Sequence, residues 1–158
     1  MMIQPSTDLE SGVQALYASC QQDSSGDPII LTAAATEDGV EVTGSAIDRQ
    51  GYDSCVLAIT ALAKLAATKL LSLGVKYQDS ADNSTWNAAV VMQASTTLLT
   101  GGGGGTTEEG EVELGLNLRG LERYVRFNIT PDLDATGTDT AIWSAVCVLG
   151  GKEATPVT

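Results

Sequence analysis

A single all-β domain, a β-sandwich or jelly roll, is the fold this sequence predicts. Three observations point there. Val112, Leu114, Leu116 and Leu118 alternate with Glu113, Gly115 and Asn117, and Val125, Phe127 and Ile129 alternate with Tyr124, Arg126 and Asn128. A period of two puts every second side chain on one face of a strand. Roughly seven or eight such short runs are separated by turn residues, the pattern of a sandwich. The apolar mass is mainly Ala, Leu and Val with abundant Thr, aromatics are only 4%, and 17 glycines punctuate the chain. β-branched side chains favour strands, and glycines favour turns.

The elements follow in order. Residues 1–28 read as an N-terminal arm. Leu9, Val13, Leu16 and Tyr17 recur at helical spacing, which fits a short amphipathic helix capped by Ser6 or Asp8. The polar stretch 21–28 breaks it. Residues 29–150 read as the sandwich, and 151–158 as a C-terminal tail. Ile29–Ala33 is a brief apolar run, Glu37-Asp38-Gly39 a turn, and Val40-Glu41-Val42 a short alternation. Ser54–Leu62 is a longer run, and Leu71, Leu73, Val75 and Tyr77 alternate with polar residues. Between these runs, residues 61–70 fit either a helix, with an apolar face at 62, 65, 66 and 70, or two strands joined by a turn. Trp86–Met92 is apolar. Gly101–Gly105, a run of glycines, reads as a mobile hairpin connection. Ala141–Leu149 is apolar at both alternations, so it should be a central strand covered on both faces.

Charge and composition exclude several functions. Of 158 residues, 8 are Lys or Arg, 20 are Asp or Glu and none is His, giving a net charge of −12. Phosphate and anionic lipid are bound by clustered cations, so neither nucleic acid nor membrane is an expected partner. Without histidine there is no Ser-His or Cys-His nucleophile pair. No stretch approaches 18 apolar residues, and Met1–Pro5 lacks a basic, then apolar, leader pattern. Cys20, Cys55 and Cys147 are widely spaced, which suits buried free thiols better than zinc or redox chemistry.

Candidate motifs reduce to surface features on inspection. The glycine run lacks the Lys of a P-loop and is followed by acid. Asp132-Leu133-Asp134-Ala135-Thr136-Gly137 opens like a calcium loop, but Trp143 stands where the closing Glu belongs. Asp79, Asp82 and Asn83 form an acidic turn. Asn83-Ser84-Thr85 and Asn128-Ile129-Thr130 match the glycosylation sequon. No spacing singles out a pair of catalytic carboxylates. The expectation is a non-enzyme with no catalytic residues, cofactor or metal. Trp143 belongs in the core, whereas Trp86 follows a polar turn and suits an interface. Arg119, Arg123 and Arg126 form the one basic cluster, with Arg123 in phase with Val125 and Arg126 with Tyr124. Such arginines suit pairing with acid from a neighbouring chain.

Three segments carry a family resemblance. Ala46-Ile47-Asp48-Arg49-Gln50-Gly51-Tyr52-Asp53-Ser54 resembles an Asp-x-x-Gly-Tyr/Phe-Asp/Glu-Ser signature followed by an apolar strand. The segment from Val75 to Trp86 is similar to a strand, acidic Ser-rich turn and Thr-Trp pattern. Leu121–Thr130 resembles an Arg-Tyr-x-Arg strand. Together and in order, over roughly residues 40–150, they resemble the head decoration, or cement, proteins of tailed bacteriophages. The resemblance implies a β-sandwich or jelly roll on the capsid exterior, assembled in the host cytoplasm as a trimer or dimer and bound to the major capsid protein. The glycine run and residues 64–69 fall outside the pattern.

The resulting expectation is a virion structural protein that stabilises the head. A carbohydrate- or host-surface-binding sandwich of a fibre or tail is the alternative, and it asks for an exposed Trp86. The expected contact residues are Ile3, Leu9, Val13, Leu16, Tyr17, Trp86, Arg123 and Arg126.

Overall fold

A computed structural model describes residues 14–19, 30–134 and 137–152. Among the described residues all ten elements are strands: β1 (Gln14–Ser19), β2 (Leu31–Thr32), β3 (Val42–Thr43), β4 (Ile47–Asp48), β5 (Tyr52–Leu65), β6 (Leu70–Ser80), β7 (Val90–Thr100), β8 (Thr106–Asn117), β9 (Tyr124–Leu133) and β10 (Thr140–Lys152). They form two sheets in which every pair is antiparallel. One sheet runs β1-β10-β5-β8, with β2 also on β10; the other runs β3-β9-β6-β7, with β4 also on β9. The predicted all-β sandwich of jelly-roll type is therefore the fold.

Alternation decides the layering. Cys55, Leu57, Ile59, Ala61, Ala63 and Leu65 of β5 point inward, and Val56, Thr60, Leu62 and Lys64 point out. Leu71, Leu73 and Val75 of β6 and Val125, Phe127 and Ile129 of β9 face them from the second sheet. The longest buried side chains meet between the sheets, and Phe127 is 1% exposed. Its truncation to Ala should cost about 3–5 kcal/mol.

The structure decides one open choice and changes two expectations. Residues 61–70 are two strands and a turn: β5 runs to Leu65, β6 starts at Leu70, and Lys69 N–H donates to Ala66 O. Tertiary burial of one alternating set overrides the helix propensity of Ala, Leu and Lys. Residues 14–19, placed in the arm and fitted to a helix, are a strand paired with β10. β10 is central, but it is covered on one face only. Ala141, Trp143, Ala145, Cys147 and Leu149 are buried, while Ile142 is 46% exposed. A two-layer sandwich leaves the outer face of each sheet to solvent.

The glycine run also differs from expectation. β7 pairs with β6 and β8 with β5, so residues 101–105 cross from one sheet to the other and do not close a hairpin. Gly101 is buried. Its N–H donates to Lys69 O, and its carbonyl accepts from Thr68 N–H. A Cβ on Gly101 would lie 2.1 Å from Ala66 O, whereas one on Gly103 meets nothing within 4 Å. Gly101→Ala should therefore lower the midpoint of urea unfolding, because backbone must shift to admit the methyl. Gly103→Ala should leave it unchanged or raise stability by about 0.4–1 kcal/mol, by restricting the unfolded chain. Equal effects from the two substitutions would contradict this account of the crossing.

Candidate functional site

Three connections gather at one end of the sandwich: residues 49–51 between β4 and β5, 81–89 between β6 and β7, and 118–123 between β8 and β9. The ladder places Asp79 opposite Val125 and Ser80 opposite Tyr124, while Ile47 and Asp48 pair with Val125 and Tyr124 on the other side of β9. The three resembling segments, distant in sequence, therefore meet here.

Charged groups lock the three connections together. Arg123 Nη2 lies 2.7 Å from Asp48 Oδ2, and its Nε donates to the same carboxylate. Arg49 Nε donates to Glu122 O at 2.9 Å, and its Nη2 donates to Leu121 O. Arg119 pairs with Asp53 at 2.8 Å. Asp79 accepts the Glu122 N–H and the Asn87 side-chain amide. Asp82 folds the 81–89 connection around itself, accepting from the Ser84 and Thr85 N–H groups and the Ser80 hydroxyl.

These contacts hold three carboxyls below their ordinary value. For Asp82 the Thr85 and Ser84 N–H bonds act first, with the Ser84 and Ser80 side chains adding to them. For Asp48 the Arg123 bond dominates, against a smaller opposing effect of burial. At Asp79 burial pulls upward, but the Glu122 N–H and Asn87 bonds outweigh it. A carboxylate stabilised in this way favours the ionised form.

Beside this lies a polar patch on the outer face of β6 and β9. Gln78 Oε1 accepts from Arg126 Nε and Nη2 and from Asn128 Nδ2. Gln78 Nε2 donates to Asn87 O. The Arg126 guanidinium stacks 4.1 Å over the Trp86 ring. This cation–π contact fixes the half-buried indole and covers one of its faces. Asn128, 3% exposed, leaves its Oδ1 without a hydrogen-bond partner.

Of the expected contact residues, Trp86, Arg123 and Arg126 come together at this end. Arg123 meets an acid of its own chain, Asp48, and it precedes β9 instead of lying in phase with Val125. Leu16 and Tyr17 sit on β1, at the far edge of the other sheet; the register skips at Leu16, and Tyr17 pairs with Cys147. Ile3, Leu9 and Val13 lie outside the described residues. Sequence reasoning missed Gln78 as the acceptor joining Arg126 and Asn128. The in-phase spacing of 126 and 128 on one strand was the available signal.

The acid-rich motifs hold local structure. Asp134 Oδ1 accepts Leu70 N–H, and Leu133 between Asp132 and Asp134 is buried, so the run is the end of a strand. No group of three or more His, Cys, Asp or Glu among the described residues could hold a metal ion. Cys55 and Cys147 are free thiols buried on adjacent strands, and a hydrogen bond between them, with burial, pushes the Cys147 thiol far up.

The fold has known counterparts. The chain superposes on the crystal structure of the T13 particle of infectious bursal disease virus with a TM-score of 0.52, at 15% identity, over 88% of this chain and 31% of that one. The structure of the Gt strain of that virus gives 0.50, at 14% identity, over 90% and 34%. The VP2 subviral particle of the same virus gives 0.50, at 12% identity, over 88% and 33%. The chain thus spans about a third of the length of these viral-particle proteins and shares with them a fold. No protein-family model and no curated sequence matches it.

Arg126→Ala should uncover Trp86 and shift tryptophan emission to longer wavelength, leaving the contribution of buried Trp143 in place. An unchanged spectrum would contradict the stacking. Acidification should loosen the same end. Each of the three carboxyls has a lowered value when folded. Its stabilising contribution is present above the ordinary 3.8 and is lost as pH falls through the lowered value. The protection of the Ser84 and Thr85 amides, measured against their intrinsic exchange at each pH, should therefore fall below about pH 4, and in Asp82→Ala it should be low already at neutral pH.

Proposed function

We propose that this chain is a structural protein of a virion, a decoration or cement protein that binds the major capsid protein on the exterior of a phage head. The observation that carries the reading is the convergence of the three resembling segments on one end of the sandwich. Residues 48–53, 79–86 and 121–126 are far apart in sequence, yet ion pairs and capped turns join them into one surface. The likeness of the fold to proteins of an icosahedral virus particle supports the same reading.

The chemistry of that end suits docking. Its turns are fixed by bonds already made, so little conformational entropy remains to be lost on binding. Trp86 and Arg126 are residue types enriched where binding energy concentrates. Copies arrayed on a shell would multiply a modest contact through avidity. The net charge of −12 keeps free copies dispersed and away from nucleic acid during assembly in the host cytoplasm. The carbohydrate-binding alternative asks for an open indole platform, and one face of Trp86 is occupied by Arg126.

Co-sedimentation with capsid shells of the virus whose genome encodes the chain tests the reading. Saturable pelleting with shells is expected, reduced by about tenfold or more in affinity when Trp86 and Arg126 are both replaced by Ala. No pelleting at any concentration would overturn it.

A further inference from the structure

The edges of the two sheets are treated very differently. β8 ends its sheet and carries Glu108, Glu109, Glu111 and Glu113, a row of like charges. The short strands β3 and β4, on the side of β9 away from β6, stand beside Glu41 and include Asp48. Charged side chains of this kind keep an edge from pairing with another chain. β7, 11 residues long, ends the second sheet at the opposite side, and among the described residues its only strand partner is β6. It has no charge at all. From Asn83 to Thr107 the sequence contains no Asp, Glu, Lys or Arg, in a chain whose net charge is −12.

The exposed side chains agree with the charge pattern. Val90 is 47% and Val91 57% exposed, and Ala94, Ser95, Thr96 and Thr97 are exposed as well. The outer edge of an end strand presents unpaired N–H and C=O groups, a template for a further strand. β1 is also uncharged at the edge of the other sheet, but it has only 6 residues.

We propose that the free edge of β7 is the contact between copies of this chain, with two β7 strands pairing antiparallel about a two-fold axis. A second copy is the occupant the charges favour. Two chains of charge −12 repel at long range, and the repulsion is weakest where a long edge bears no charge of its own. An isologous pair sets β7 against itself, so uncharged residues oppose uncharged residues in any register. β7 shifts register against β6 at three places between Leu71 and Lys76. Such bulges twist a strand, which limits the new ladder to a short stretch and makes a weak contact, suited to many copies on a shell. The inference goes beyond the proposed function, which concerns binding to the shell, and names a surface for contact between copies.

Ser95 lies at the middle of β7, so about a two-fold axis the two copies of this residue are close. The test is sedimentation equilibrium of the full chain with Ser95→Glu and Ser95→Lys, alone and mixed. The unmodified chain should self-associate. Each variant alone should associate at least about tenfold more weakly, since like charges then face each other, and an equimolar mixture should recover. Self-association of both variants at the unmodified strength would overturn the surface while leaving assembly through another one. A strictly monomeric unmodified chain would overturn the inference outright, while shell binding, read by co-sedimentation, would still stand or fall separately. Circular dichroism of each variant confirms that the fold persists.

Discussion

The β6–β9 ladder is the constraint on which the rest of the molecule depends. It runs without a bulge from Leu71 opposite Leu133 to Ser80 opposite Tyr124. On its inner side it sets Leu71 opposite Leu133, Leu73 opposite Pro131, Val75 opposite Ile129 and Tyr77 opposite Phe127. On its outer side it sets Gln78 opposite Arg126 and Lys76 opposite Asn128. A slip of one residue would turn Phe127 to solvent and Arg126 into the core, so burial fixes the register strongly. The Gln78 acceptor, the Trp86 stack and the placing of Asp79 beside residues 122–124 all inherit their positions from it. The β5–β10 ladder plays the matching role in the other sheet, running from Thr140 opposite Lys64 to Lys152 opposite Tyr52.

The acidic residues at the loop end act mainly as acceptors for backbone and for arginine. Asp82 holds a turn, Asp79 ties that turn to residue 122, and Asp48 ties residue 123 to β4. Individual exposed ion pairs contribute little. Their effect here is cumulative, because each joins a different pair of connections. Stiffness at this end thus depends on ionised carboxylates, and the opposite end depends on the bonds between Gly101 and the β5–β6 turn.

Much of the fold was legible in the sequence, and the reason is periodicity. β6, β8 and β9 follow the alternations of 71–77, 112–118 and 125–129, because each strand buries one face and the pattern records which. Three features were not legible. β7 extends to Thr100 through Gln93–Thr97, a polar stretch held by β6 and the sandwich rim, so no apolar alternation marks it. Residues 14–19 carry a spacing compatible with a helix, and pairing with β10 is a long-range fact that local sequence does not encode. Residues 61–70 are open in the sequence to a helix or to two strands, because Ala, Leu and Lys fit both, and the pairing of β5 with β10 and β8 decides. At the candidate site the residue types were legible, and the convergence of Asp48, Asp79, Trp86 and Arg123 was not. Convergence is set by which strands become neighbours, as when β4 docks on β9.

The central claim is that the end bearing residues 48–53, 79–86 and 121–126 meets the capsid. Cryo-electron microscopy of shells carrying the bound protein tests it most directly, because the asymmetric sandwich can be oriented in the density. The account predicts that Trp86 and Arg126 face the shell, with the Gly101–Gly105 crossing pointing away. Density with the glycine crossing against the shell, and the Trp86 end free in solvent, would contradict it.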